Sequence, residues 1–273
     1  MPIRAAAAAL AALLAAAPGR LLAQDPGVVE DVPYLETPQI VVDEMLHLAQ
    51  VKPTDVVYDL GSGHGRIVIT AAQKFGARGV GIERDAGLVA LSRVRIQQAG
   101  VAQRVRILHQ DIFASDFKEA TVVTLYLAPH LNLRLRDTLL GLAPGTRIVS
   151  HSAGLGDWRP DQRTTIRKDV LLWIVPAAVA GRWRSSELEI EFRQKFQELS
   201  ADARLRGEPA SVWETALRGD RVSFVVVNDR ADTSLTFSGR VSGDTITGEV
   251  SRGVGAARTA SAWQAKREPH GRR

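Results

Sequence analysis

The chain has 273 residues, 45% of them hydrophobic and 24% charged, a globular composition long enough for one large domain or two modest ones. Its formal charge of +5 has no basic run dominating any one segment, which is not the footprint of a nucleic-acid binder. There is no cysteine, so disulfides, thiolate metal sites and a cysteine nucleophile are excluded.

The chain opens with Arg4, an unbroken apolar run from Ala5 to Ala17, the breaker Pro18-Gly19, and Leu21-Leu22-Ala23 before Gln24. This three-part pattern reads as a secretory signal peptide over residues 1–23, with an apolar run too short to span a bilayer. The expectation is an exported or periplasmic protein with no stable membrane span once the leader is removed. A mistaken start or a transit-like leader would make it cytoplasmic instead. Without Arg4 and Arg20 the balance is 33 basic residues to 30 acidic. Residues 24–33, rich in proline, glycine and acids, read as an extended arm.

Thr37-Pro38 reads as an N-cap followed by proline at the first helical position, and Gln39 to Gln50 has a helical apolar pattern. Strands are expected at Val56–Tyr58, ending at Asp59, at Gly79–Ile82, ending at Glu83, and at Val105–Leu108, followed by Asp111. Two more are expected at Thr121–Leu127 and Arg147–Ser150. Helices are expected at Ile67–Phe75, Ala86–Ala99 and Leu131–Leu142. This alternation predicts a Rossmann-like, mostly parallel sheet with helices on both faces. Past about Pro160 the alternation stops. Leu188, Ile190 and Phe192 alternate with Glu187, Glu189 and Glu191, and Val222, Phe224 and Val226 repeat the period of two. Leu235 with Phe237, and Ile246 with Val250, continue it, with turns at Gly219-Asp220 and Gly243-Asp244. The stretch from about Lys168 to Lys266 therefore reads as an antiparallel meander, a small barrel or a sandwich. The expected organisation is a leader (1–23), an α/β domain (24–165), a small antiparallel β-rich domain (166–267) and a basic tail (268–273).

The sharpest signal is Asp59-Leu60-Gly61-Ser62-Gly63-His64-Gly65-Arg66, between a strand and a helix. Glycines there allow a tight turn and close approach of a ligand to the main chain. A dinucleotide fingerprint would place its third glycine at 66, where this chain has Arg66. No Gly-Lys-Ser/Thr follows, so this is not a phosphate-binding P-loop. A carboxylate at Asp59 would repel a pyrophosphate and suits a cationic ligand, such as the amino-acid end of S-adenosylmethionine (SAM), reached through water. Glu83 ends the next strand, where an acid accepts hydrogen bonds from both ribose hydroxyls. Asp111 stands where a carboxylate accepts from an adenine amino group, with Ile112 packing on the ring. Each acid taken singly could simply cap the helix after it. The three in register with a glycine turn favour a cofactor site.

These elements resemble the first three motifs of class I SAM-dependent methyltransferases, over about residues 33 to 160. Pro33-Tyr34, Thr37-Pro38, DLGSGHGRIVITAA, GVGIERD and GDWRPD are most similar to the seven-strand protein-lysine methyltransferases of mitochondria and their bacterial relatives. A more distant likeness is to the non-SET histone lysine methyltransferase. The resemblance implies SAM as cofactor, held by Asp59, Gly61, Ser62, Gly63, Gly65, Glu83, Asp111 and Ile112. It also implies that the segment holding Tyr34 and Thr37 lies over the cofactor. His64 departs from the pattern, standing where many relatives carry an acid. Leu125-Tyr126-Leu127-Ala128-Pro129 lacks the Asn/Asp-Pro-Pro-Tyr/Phe element of enzymes acting on DNA bases or glutamine amides.

The expected reaction is methyl transfer to a protein lysine amine, with Tyr126 as the candidate group orienting that amine. Tyr126 reads equally as an aromatic packed on the sheet edge. His64, His130 and His151 are candidates for a base, and their spacing matches no metal-ligand motif, so no metal is expected. Trp158 reads as a wall of the acceptor channel or a pin at the domain junction, and Trp183, Trp213 and Trp263 as core or junction residues. The competing readings are an exported, non-catalytic binding module that retains the fold, and a small-molecule methyltransferase. A protein substrate and no nucleic acid are the expected partners, with the oligomeric state left open.

Overall fold

The computed structural model describes residues 35–228, 230, 232–252 and 259–269. The expected leader and arm, Tyr34, and the end of the basic tail lie outside the described residues.

The first half is built as the alternation predicts. Helix α1 (Gln39–Leu48) leads into β1 (Val56–Leu60), α2 (Arg66–Phe75), β2 (Arg78–Glu83), α3 (Ala86–Gln98), β3 (Val105–His109), β4 (Val122–Leu125), α4 (Pro129–Leu140) and β5 (Arg147–His151). Local chemistry sets several of these boundaries. Gly65 and Gly76 flank α2 in left-handed conformations, and the Asp85 carboxylate caps α3 by accepting from the Leu88 amide at 2.8 Å. Pro129 opens α4, where its missing N–H costs nothing. At α1 the expected cap shifts by one residue. Pro38 itself is the N-cap, and Thr37 makes no cap but turns, buried, toward the carboxyl edge of the sheet.

Two further strands, β6 (Gln162–Ile166) and β7 (Lys168–Ile174), complete a seven-stranded sheet of order β3-β2-β1-β4-β5-β7-β6. β1 to β5 are parallel, while β7 runs antiparallel to β5 and β6 antiparallel to β7. The meander expected from Lys168 therefore begins later. Val170-Leu171-Leu172-Trp173-Ile174 is buried on both faces, the demand of an internal strand of a covered sheet, and only from Gly181 does the chain leave it. Tyr58, Leu60, Val123, Leu125, Ile148 and Trp173 form the core on one face. Val57, Val122, Val149, Val170 and Leu172 form it on the other, against Val41, Met45 and Leu46 of α1.

The remaining strands are β8 (Gly181–Arg184), β9 (Leu188–Lys195), β10 (Glu198–Leu205), β11 (Glu208–Arg218), β12 (Arg221–Asn228), β13 (Thr233–Ser242), β14 (Thr245–Arg252) and β15 (Thr259–Arg267). They close into an eight-stranded antiparallel barrel, the first of the two architectures the period-two pattern allows. Leu188, Ile190, Phe192, Val222, Phe224, Val226, Leu235 and Phe237 fill its interior with Trp183 and Trp263. Trp213 does not join them. It lies 62% exposed on β11, beside an irregularity that carries Glu214 at φ 51°.

Trp158 pins the two domains together. Its ring stacks on Phe196 at 5.7 Å, its Nε1 donates to Gln197 Oε1 at 2.8 Å, and its carbonyl accepts from Trp173 Nε1 at 2.8 Å. Phe196 and Gln197 form the β9–β10 turn, so the indole serves the junction between the two domains.

Candidate functional site

The chain runs β1, β2, β3 toward one side of the sheet and then returns to β4 beside β1. Such a reversal opens a crevice at the carboxyl ends of the two central strands. The turn from Gly61 to Gly65 fills that edge. Gly61, Gly63 and Gly65 all have positive φ, at 78°, 54° and 83°. A Cβ on Gly61 would stand 2.9 Å from Leu127 Cδ2, so the first position is closed to larger residues by both conformation and space.

Asp59 sits near the end of β1 and is 3% exposed. The Thr124 hydroxyl on β4 donates to its Oδ1 at 2.7 Å. Burial raises its carboxyl from 3.8 to about 6. Hydrogen bonding from the Thr124 and Ser62 hydroxyls opposes that rise, and the Glu83 charge adds to it. Nothing in the local sequence marks Thr124. A buried threonine at the end of a β-branched run carries no signal until the strand order places it opposite Asp59.

Glu83 ends β2 with its side chain folded back under the glycine turn. Its Oε2 accepts from the Gly63 amide at 2.8 Å, and its Oε1 accepts from the Arg84 and Asp85 amides at 2.9 Å each. A carboxylate has about four acceptor positions, so roughly one, on Oε2, is left for a ligand. Glu83 is thus as much the lock of the turn as a binding group, and one ribose hydroxyl fits it better than two. Asp85, not Glu83, caps the following helix. Asp111 lies two residues past β3, exposed, with its Oδ1 accepting from the Phe113 amide at 2.8 Å. Ile112 beside it is half-buried against the sheet core. The structure therefore sets Asp59, Glu83 and Asp111 along one edge, in the order expected.

A strap crosses this edge. Glu36 pairs with His64 Nε2 at 2.6 Å and with the Arg66 guanidinium, while Arg66 Nη1 donates to the Thr37 carbonyl at 3.1 Å. The His64 hydrogen bond holds the Glu36 carboxyl below its ordinary range, opposed by burial and aided by the Arg66 charge. Leu35, Thr37, Asp59, Gly61, Ser62, His64, Arg66, Ile67 and Tyr126 line a narrow cavity of about 30 Å³. Ser62 Oγ is buried there, near enough to the Asp59 carboxylate to oppose the rise of its pKa.

Tyr126 closes the β4 side of that cavity, half-buried, with its ring 4.5 Å from that of His151. The three histidines named above do not converge: His64 holds the strap, His130 is exposed at the start of α4, and His151 is buried beside Tyr126. Among the described residues no group of three or more His, Asp or Glu side chains is arranged to hold a metal, and no helix is long and apolar enough to cross a membrane.

A family model described as the ANTKMT methyltransferase domain matches residues 59–162. The chain is 42% identical over 136 residues to a protein-lysine N-methyltransferase of Saccharolobus islandicus, covering 49% of this chain and 84% of that protein. It is 34% identical over 130 residues to the adenine nucleotide translocase lysine N-methyltransferase of Mus musculus, covering 47% of this chain and 56% of that protein. It thus spans little more than half of the mouse relative's length. A crystal structure titled as an RNA methyltransferase from Salinibacter ruber in complex with S-adenosyl-L-homocysteine (SAH) matches with TM-score 0.52 and 51% identity, over 53% of this chain and 96% of that one. The family-model match stops at residue 162, ahead of the barrel strands.

Proposed function

Because the chain belongs to the class I SAM-dependent methyltransferases, we propose that it transfers the methyl group of SAM to a lysine amine of a protein. The observation that carries the acceptor class is the 42% identity to a relative named for that reaction, over most of that relative's length.

The residues at the sheet edge fit the cofactor. Positive-φ glycines bare the main chain, a buried carboxylate at Asp59 awaits a cation, Glu83 keeps one acceptor position, and the buried Ser62 hydroxyl lines the same cavity. In this reading Asp59 holds the cofactor's ammonium group and Glu83 a ribose hydroxyl. Asp111 and Ile112 take the adenine, and Gly61 to Gly65 line its path. SAM supplies an electrophilic methyl on a sulfonium. The protein's own task is then to orient and dehydrate the acceptor. Tyr126 stands on the β4 side of the cavity, where its hydroxyl can direct an amine lone pair toward the methyl. The strap through Glu36 and Thr37 excludes water from above.

An RNA acceptor is the second reading, favoured by the name of the Salinibacter relative. Against it stand the lack of any dominating basic run and the Leu125–Pro129 segment at the end of β4, Leu-Tyr-Leu-Ala-Pro, which lacks the element that clamps a planar amide or base. The test is transfer from methyl-labelled SAM into separated protein, RNA and small-molecule fractions of a bacterial extract. Label in protein supports lysine transfer, and label confined to RNA or to small molecules overturns it.

A further inference from the structure

His151 is the last residue of β5 and falls in the next row after the Leu125–Ser150 pair, beside Tyr126. It shares the sheet face of Asp59, Thr124 and Val149, the face that α1 and the strap cover. It is 3% exposed, and neither ring nitrogen has a hydrogen-bond partner. Its ring meets that of Tyr126, tilted by 43° at 4.5 Å.

The chain spends effort to hold it there. Ser152 follows in a left-handed conformation, φ 76°, which a non-glycine residue adopts only when its surroundings impose it. The Ser152 amide donates to the Asp169 carbonyl at 2.7 Å, and the Ala153 amide returns to the His151 carbonyl at 3.0 Å. Buried Asn132 on α4 donates to both Ser150 Oγ and the Ala153 carbonyl at 3.1 Å, and Ser150 Oγ donates to the same carbonyl at 2.7 Å. If packing against Tyr126 were the whole purpose, a phenyl ring would serve without leaving two buried nitrogens unsatisfied. Burial first, and the Lys168 ammonium on β7 second, depress the imidazole's pKa, which keeps it neutral with one nitrogen as an acceptor.

We propose that His151 and Tyr126 together form the methyl-acceptor subsite, with the neutral imidazole accepting a hydrogen bond from the incoming amine and fixing the direction of its lone pair. This rests on the methyl-transfer reading above, and on an amine as acceptor.

The test uses the full chain and two cofactor analogues. Sinefungin carries an amine where SAM carries its methyl, and SAH carries nothing there. Calorimetry on wild type is expected to show sinefungin bound more tightly than SAH. In H151F, which keeps the ring volume, that preference falls about 10-fold while SAH affinity stays within about 2-fold, the loss of one hydrogen bond to a charged amine. H151Q, whose amide oxygen accepts, retains part of the preference. H151M carries the same test as H151F if the phenyl variant does not fold. An unchanged sinefungin-to-SAH ratio in the apolar variant, or equal loss of both ligands, overturns the assignment. The ratio does not depend on lysine. Label found in RNA in the transfer assay would overturn the lysine reading and leave this result standing, and an unchanged ratio in an enzyme that makes methyllysine would overturn His151 alone.

Discussion

Asp59→Asn separates the cost of the site from its use. In the ligand-free protein the Asp59 carboxyl is raised from 3.8 to about 6, chiefly by burial. The folded state therefore holds this proton more tightly than the unfolded state. Stability falls as pH rises from about 4 to about 6, and above that the full cost of the buried charge is present. A rise to about 6 corresponds to about 3 kcal/mol. Asparagine keeps an oxygen for the Thr124 hydroxyl and carries no charge, so it escapes this cost. Urea unfolding without ligand should show the variant more stable than wild type by up to about 3 kcal/mol at pH 8, with the gap closing toward pH 4. Calorimetry should show the reverse for binding, with SAH affinity at pH 8 weaker in the variant by roughly 10- to 100-fold. Wild-type affinity should fall as pH drops below 6, because a protonated Asp59 no longer attracts an ammonium, while the variant's affinity should not. A stability difference that is absent at pH 8, or the same at pH 4 and pH 8, would refute the claim that Asp59 is a strained, buried carboxylate kept for a cation.

Glu83→Gln sets an amide N–H₂ against either the Gly63 amide or the Arg84 and Asp85 amides. It should destabilise the chain by about 1–3 kcal/mol and weaken SAH binding, read by thermal unfolding and calorimetry. Gly81→Ala would place a Cβ 2.4 Å from Ser62 Oγ and 2.5 Å from Ile107 Cδ1, pushing the glycine turn off β2. A loss of about 1–3 kcal/mol in denaturant unfolding is expected. Trp158→Ala removes the stack on Phe196 and the bond to Gln197, and should cost about 3–5 kcal/mol. Limited proteolysis of that variant should cut between Ile174 and Gly181, where the sheet gives way to the barrel.

The glycine turn and its acids were legible because each signal is local: a strand end, a turn that only glycine can make, a carboxylate at a fixed place beside it. The barrel strands were legible for the same reason, since alternation such as Leu188-Ile190-Phe192 needs no partner to be seen. Whether they closed into a barrel or paired as a sandwich was not legible, because the period of two is the same in both. β7 was misplaced because a strand buried on both faces shows a continuous apolar run, with no alternation to tell which sheet it joins. The Glu36–His64 contact and the role of Thr124 were invisible for another reason. Glu36 meets His64 across 28 residues and Thr124 meets Asp59 across 65, and no local pattern marks either contact. His151 could be named from its position after a strand, but its unsatisfied nitrogens and its contact with Tyr126 exist only in three dimensions.

The most direct test of the central claim is to identify the methylated product chemically. The full chain is incubated with methyl-labelled SAM and protein extract, the protein is hydrolysed to amino acids, and the labelled species is assigned by mass spectrometry, with Asp59→Asn as control. The label should appear as methylated lysine and drop sharply in the control. Label in another amino acid, or equal methyllysine from the control, would contradict the account.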